Sequence, residues 1–143
     1  MTYLLDVNVL IALIDPAHVQ HNAAHDWFAR EGHKSWATCP LTENGVLRVV
    51  GHPHYPNSPG TPAAVTPLVA GLRALSGHIF WADGISLIDD SAVDQTRLLT
   101  TSQVTDSYLL ALAKFHGGRL ATFDRRLVPD AIVQGSQSLY LIP

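Results

Sequence analysis

The chain carries a single cysteine, Cys39, which rules out an internal disulfide and suits a reducing interior. A lone cysteine in an apolar setting reads as a small buried residue rather than a nucleophile. No apolar stretch is long enough to span a bilayer, and no basic segment followed by a signal-type apolar run opens the chain, so a cytoplasmic protein without membrane contact is expected. Lysine is confined to Lys34 and Lys114, and the net charge of -3 argues against broad adhesion to nucleic acid while leaving room for a local basic patch. Glutamate is confined to Glu31 and Glu43, against ten aspartates. Surface helices usually carry Glu freely, so a Glu set inside an apolar pattern asks for a specific explanation.

The bulk of the chain is ordinary by comparison. Hydrophobic residues make up 47% of it and charged ones only 15%, which predicts a compact globule without long tails. Its 143 residues suit one domain, 1–143.

Taken in order, the stretch Tyr3-Leu4-Leu5-Asp6-Val7-Asn8-Val9-Leu10 reads as a buried strand, a polar crossing and a helix running to Ile14, with Asp15-Pro16 as a stop. Asp6 fits two roles here, a cap on that helix or a side chain in the crevice at the end of a first strand. A second helix is expected over His21 to Glu31, with Trp27 and Phe28 on its apolar side. His18, His21 and His25 fall near one face of it, which could be a metal-binding row but reads better as a solvated polar face. Ser35 to Cys39 reads as a second strand. Pro40 then opens a helix from the position proline tolerates best, with Glu43 in the first turn, where an acid also complements the helix dipole.

Gly51 through Pro62, with Pro53, Pro56 and Pro59 inside it, reads as a rigid connector; its His52-Pro53-His54-Tyr55 could stack on a base. Helical spacing resumes from Thr61 to Ser76, with Pro67 as a kink or restart. His78 to Trp81 predicts a third strand and Ile85 to Ile88 an extended segment. Asp89-Asp90-Ser91 offers capping oxygens for a short helix ending near Leu99. Thr105 reads as the cap of an apolar helix that carries Asp106 in its first turn and stops at Gly117-Gly118. Arg119 to Phe123 is then a short strand followed at once by Asp124, and Ser138 to Ile142 makes the last. Strands alternating with helices predict an α/β fold: a three-layer α/β/α sandwich around a mostly parallel central sheet.

In such a sheet Asp6, Glu43, Asp106 and Asp124 all face one edge. Four converging carboxylates repel and raise one another's pKa. Hard divalent cations relieve that repulsion, and Mg²⁺ or Mn²⁺ also keeps exchangeable waters. Two such ions roughly 4 Å apart can activate a water and stabilise a leaving oxygen, which is the chemistry of phosphodiester hydrolysis.

Together, Leu-Leu-Asp6-Val-Asn8-Val-Leu, Thr42-Glu43-Asn44, Thr105-Asp106 before Leu-Leu-Ala-Leu-Ala, and Leu120-Ala-Thr122-Phe-Asp124-Arg-Arg-Leu resemble a PIN-domain ribonuclease. More narrowly, the chain is similar to the VapC-type toxins of bacterial toxin–antitoxin pairs, over essentially its whole length. The resemblance implies a PIN-like fold and a Mg²⁺- or Mn²⁺-dependent endoribonuclease acting on structured RNA such as tRNA or rRNA. It implies a homodimer and a cognate antitoxin that lays a segment across the site. Asp6, Glu43, Asp106 and Asp124 match the family's catalytic and metal-binding acids, with Asp6, Glu43 and Asp106 as the stronger ligands. Asp124 would hold a second ion or orient water. Asn8 and Thr122 match supporting positions, and Arg125 and Arg126, beside the last acid, could contact RNA phosphates or simply form a solvated turn. The Gly51–Pro62 loop is the least family-typical stretch.

Three other readings compete. A signalling receiver domain would need an acidic pair at the first strand and a well-placed late lysine, which this chain lacks. A catalytically silent PIN domain would bind RNA or protein only. A flap-type nuclease would act on DNA and generally carries a larger acidic set.

Overall fold

A computed structural model describes residues 1–143. Ten regular elements follow in order: β1 (Tyr3–Leu5), α1 (Val7–Ile14), α2 (His21–Arg30), β2 (Trp36–Thr38), α3 (Pro40–Val50), α4 (Pro62–Arg73), β3 (His78–Phe80), α5 (Gln103–Phe115), β4 (Arg119–Thr122) and β5 (Leu139–Leu141). The strands form one sheet in the order β3-β2-β1-β4-β5, and every pairing is parallel. The mostly parallel expectation therefore becomes a wholly parallel sheet.

Alternation along the strands divides the core in two. Tyr3 and Leu5 point to one face, where Trp36, Trp27, Phe28, Val46 and Val65 from β2, α2, α3 and α4 also pack. Leu4 points to the other face, where Leu109, Leu110, Leu112 and Leu120 cover it from α5 and β4. Helices thus cover both faces, as a parallel sheet requires.

β1 sits in the middle, with β2 and β3 to one side and β4 and β5 to the other. Strand order reverses between β1 and β4, and in open α/β sheets the crevice at such a switch point is where ligands bind. Asp6 ends β1 and Asp124 follows β4, so both flank that crevice. Gly45 brings α3 close to α1: a Cβ there would lie 2.6 Å from Val7 Cγ2. The start of α1 is thereby held against the middle of α3.

The far ends of α1 and α3 are tied separately. Asp15 Oδ2 accepts from the Tyr55 hydroxyl at 2.5 Å and Oδ1 from Asn57 Nδ2 at 2.6 Å. Those two bonds pin the proline-rich loop onto the end of α1, on the side away from the acids. Tyr55 is half-buried and engaged, which ties the loop down as a connector, while His52, Pro53 and His54 stay exposed on it. His21 Nδ1 and His25 Nε2 lie 2.7 and 2.9 Å from the carbonyl oxygens of Ala12 and Leu13. These histidines cap the last turn of α1 instead of lying free in solvent.

α4 runs unbroken through Pro67. Proline cannot donate to the carbonyl four residues back, and the Thr66 hydroxyl takes its place on Ala63 O at 2.7 Å.

Two stretches differ from expectation. Residues 85–88 form no strand, and no helix follows Asp89-Asp90-Ser91. In its place come an antiparallel bridge from Val93 to Ile132 and a short 3₁₀ turn, Gln95–Arg97, capped by Asp94. The aspartates bind their own backbone two residues on, Asp90 at Ala92 N and Asp94 at Thr96 N, and such local turns compete with helix. Thr105 is likewise not a cap, because α5 begins at Gln103. Gln103 Oε1 accepts from Leu99 N and Thr100 N at 2.9 and 3.0 Å and fixes the entry to the helix. No helix is long and apolar enough to cross a membrane.

Candidate active site

Asp6 is 7% exposed and joins the two roles the sequence offers it. Its Oδ1 accepts from Val7 N at 2.7 Å and caps α1. Its Oδ2 accepts from the Thr122 hydroxyl at 2.8 Å. Burial pushes its carboxyl above the usual range and nearby Asp124 adds to this, while the bonds from Thr122 and Val7 work against the rise.

Thr122, fully buried at the end of β4, is the hub. Its oxygen also accepts from Asn8 Nδ2 at 3.0 Å and from Asp124 N at 3.0 Å. Asn8 Oδ1 in turn accepts from Phe123 N at 3.2 Å. One hydroxyl and one amide thus lock the end of β1 to the end of β4, 116 residues apart. Asp124 Oδ1 accepts from Arg126 N at 2.9 Å, which shapes the turn and leaves the second oxygen free.

Asp106 projects from the first turn of α5. Partial burial, then the charges of Asp6 and Asp124, push its carboxyl up to about 6. These three aspartates share one crevice and feel one another's charge, with no cation among the causes acting on Asp106.

Glu43 is arranged differently. Its Oε2 accepts from the Thr38 hydroxyl at 2.6 Å, and its Oε1 pairs with Arg73 Nη1 at 3.3 Å. Thr38 is also bonded to His78 Nε2 at 2.8 Å. Of the four acids, three therefore converge and the fourth is held by its own set of partners. In this arrangement no three His, Cys, Asp or Glu side chains stand close enough to hold one ion. Thr38, Arg73 and His78 were not legible as site residues, since each reaches Glu43 through folding rather than through a local motif.

Arg125 donates from Nη2 to Ile142 O at 3.0 Å, which ties the turn after β4 to the end of β5. Arg126 is exposed beside Asp124.

The family model for the PIN domain matches residues 3–129. The chain belongs to the PIN-domain family. Among curated relatives, this PIN domain is 43% identical over 132 residues to Ribonuclease VapC44 of Mycobacterium tuberculosis, covering 92% of each chain. It is 45% identical over 131 residues to Ribonuclease VapC39 of the same organism, covering 92% of this chain and 94% of that one. Ribonuclease VapC38, also from that organism, is 47% identical over 122 residues, covering 85% and 84%.

The raised carboxyl of Asp106 makes the ion-free PIN domain sensitive to pH. A carboxyl at about 6 when folded and at the ordinary value of about 3.9 when unfolded binds its proton more tightly in the folded state between those limits. Stability from this group is fully present below the unfolded value and is lost as pH rises through about 6. Asp106→Asn removes the loss. In chelator, urea denaturation should show the variant more stable than wild type by about 1 kcal/mol at pH 7, a figure reduced for the solvent that reaches the half-exposed group. The two proteins should coincide near pH 4.

Proposed function

We propose that this PIN domain is a metal-dependent endoribonuclease, the toxin of a toxin–antitoxin pair, that hydrolyses phosphodiester bonds in structured RNA such as tRNA or rRNA. The observation that carries the reading is the convergence of Asp6, Asp106 and Asp124 in the switch-point crevice, with Thr122 and Asn8 bracing the first of them. The likeness to chains named Ribonuclease VapC over nearly their whole length supports RNA as the substrate. The intact acidic set weighs against a silent binding module.

The donor set fits a hard divalent ion. It offers carboxylate oxygens only, in a cluster whose charge no side-chain cation offsets, which is the chemistry Mg²⁺ and Mn²⁺ prefer. Asp6, Asp106 and Asp124 would hold the ion after drawing closer together than they stand here, and Glu43 would join them on turning from Arg73. Bound there, Mg²⁺ or Mn²⁺ supplies positive charge that makes an attacking water more acidic and stabilises the leaving oxygen.

The chain's own residues do the rest. Thr122 and Val7 N each direct one lone pair of Asp6, which fixes the plane of its carboxylate toward the crevice. Asp124 keeps Oδ2 free to orient a water while Oδ1 is occupied by Arg126 N. Arg126 and the remaining guanidinium N–H groups of Arg125 would contact phosphates flanking the scissile bond. In-line attack by water then leaves a 3′-hydroxyl and a 5′-phosphate, with no role for the 2′-hydroxyl as nucleophile. A homodimer and a cognate antitoxin are the partners this reading assigns.

The test is digestion of labelled RNA and of DNA of the same sequence, with Mg²⁺, with Mn²⁺ and with excess chelator. RNA should be cut with either ion and spared in chelator, DNA should be spared throughout, and new ends should accept a 3′ adaptor without phosphatase treatment. Equal cutting in chelator, or 2′,3′-cyclic ends, would sink the assignment.

A further inference from the structure

We propose that Arg73 is a built-in competitor for the ion, holding Oε1 of Glu43 in a resting pair that must break before that oxygen can turn to the three aspartates. The inference rests on the reading of that crevice as a divalent-ion site.

Both oxygens of Glu43 are already engaged, Oε2 by the Thr38 hydroxyl and Oε1 by the Arg73 guanidinium. The two holds differ in kind. Thr38 is 1% exposed and belongs to β2, which is paired on both sides. Its single hydroxyl proton goes to Glu43, so His78 must present a protonated Nε2 to the threonine oxygen at 2.8 Å. This chain of three side chains is a fixed anchor. Arg73 is the movable partner: its side chain is 42% exposed, against 15% for Glu43, and it ends α4 on a long flexible stem.

A second resting place lies next to it. The Arg73 guanidinium carbon stands 5.1 Å from the centre of the Phe80 ring, and Phe80 is 44% exposed at the end of the edge strand β3. A guanidinium over an aromatic face keeps part of its stabilisation after losing a carboxylate. Release of Glu43 therefore does not strand the cation in solvent. Charge supplies the drive. The three aspartates repel one another while Glu43 is neutralised by Arg73, so a divalent ion entering the crevice both relieves the aspartates and draws on the fourth carboxylate. Positioning of Glu43 thus falls to Thr38 and His78, and timing falls to Arg73.

The experiment is a calorimetric Mn²⁺ titration of the full chain without RNA, on wild type, R73Q, E43Q and the double variant. Exposed ion pairs are weak, so R73Q should tighten Mn²⁺ binding modestly, by about three- to fivefold. Arginine removal also takes a positive charge away from the ion at a distance, and the double variant separates the two effects. If Arg73 acts through Glu43, R73Q on the E43Q background changes Mn²⁺ affinity little. Equal tightening on both backgrounds would overturn the latch in favour of through-space repulsion. R73M, which retains an aliphatic stem over Phe80, repeats the measurement should circular dichroism show that glutamine disturbs the end of α4. Wild-type protein that binds Mn²⁺ but is unmoved by either Arg73 variant overturns the latch alone. Wild-type protein that takes up no Mn²⁺ overturns the ion reading and the latch with it.

Discussion

Exchanging Asp6 for asparagine is expected to lower RNA cleavage by about a thousandfold, the equivalent of several kcal/mol of lost transition-state stabilisation. Asparagine is the informative substitution because it preserves shape and capping. Asn and Asp are nearly equivalent at the start of a helix, so the bond from Val7 N to Oδ1 survives and α1 keeps its first turn. What disappears is one of the three aspartate charges that would hold the proposed ion. Thermal melting in chelator should change by only a few degrees, and removing the repulsion with Asp124 and Asp106 should shift it upward. Multiple-turnover cleavage of labelled RNA, read beside the melting curve, checks both halves. An Asp6→Asn protein that cuts at more than a tenth of the wild-type rate would show that the chemistry is elsewhere.

Trp36→Ala should have the largest effect on stability, about 3–5 kcal/mol. The indole is fully buried in the central region of the sheet, edge-on to Phe28 at 5.3 Å and to His78 at 4.7 Å. Its Nε1 donates to Ser76 O at 3.4 Å, and its backbone pairs with both β1 and β3. Truncation opens a cavity between α2 and the sheet that neighbours on three strands cannot refill by rotamer changes alone. Domains of this size are stable by only about 5–15 kcal/mol, so the loss is a large share of the whole. The melting midpoint should fall by about 10–15 °C, and Trp36→Phe should restore more than half of it. Since β2 also carries Thr38, the variant should loosen Glu43 before it unfolds. A drop below about 3 °C would mean that the cavity refills and that the packing around Trp36 is looser than its burial indicates.

Much of the fold was legible because short apolar runs ending in an acid or a proline mark strand-to-helix crossings, and this chain repeats that signature. Asp6 with Asn8, and Thr122 with Asp124, could be found because each pair is separated by two residues at the end of a strand, so geometry and sequence coincide. The placement of Glu43 was legible only in part. Its position in the first turn of α3 follows from Pro40, but its partners Arg73 and Thr38 depend on how α4 and β2 pack. The misread helix after Asp90 has a physical cause: Asp90 and Asp94 are good caps in sequence and good local turn formers in space, and with no apolar face to bury, the turn wins. The same ambiguity displaced the start of α5, where a glutamine side chain rather than a threonine hydroxyl sets the entry.

The central place of β1 also governs when the crevice can be assembled. β1 precedes the other four strands along the chain yet stands in the middle of the sheet, and its neighbour β4 comes after both β2 and β3. Until β4 has emerged, Asp6 lacks the Thr122 hydroxyl that steadies it and has no Asp124 beside it. A chain that stops short of β4 therefore cannot bring Asp6, Thr122 and Asp124 together, however well its earlier strands have formed.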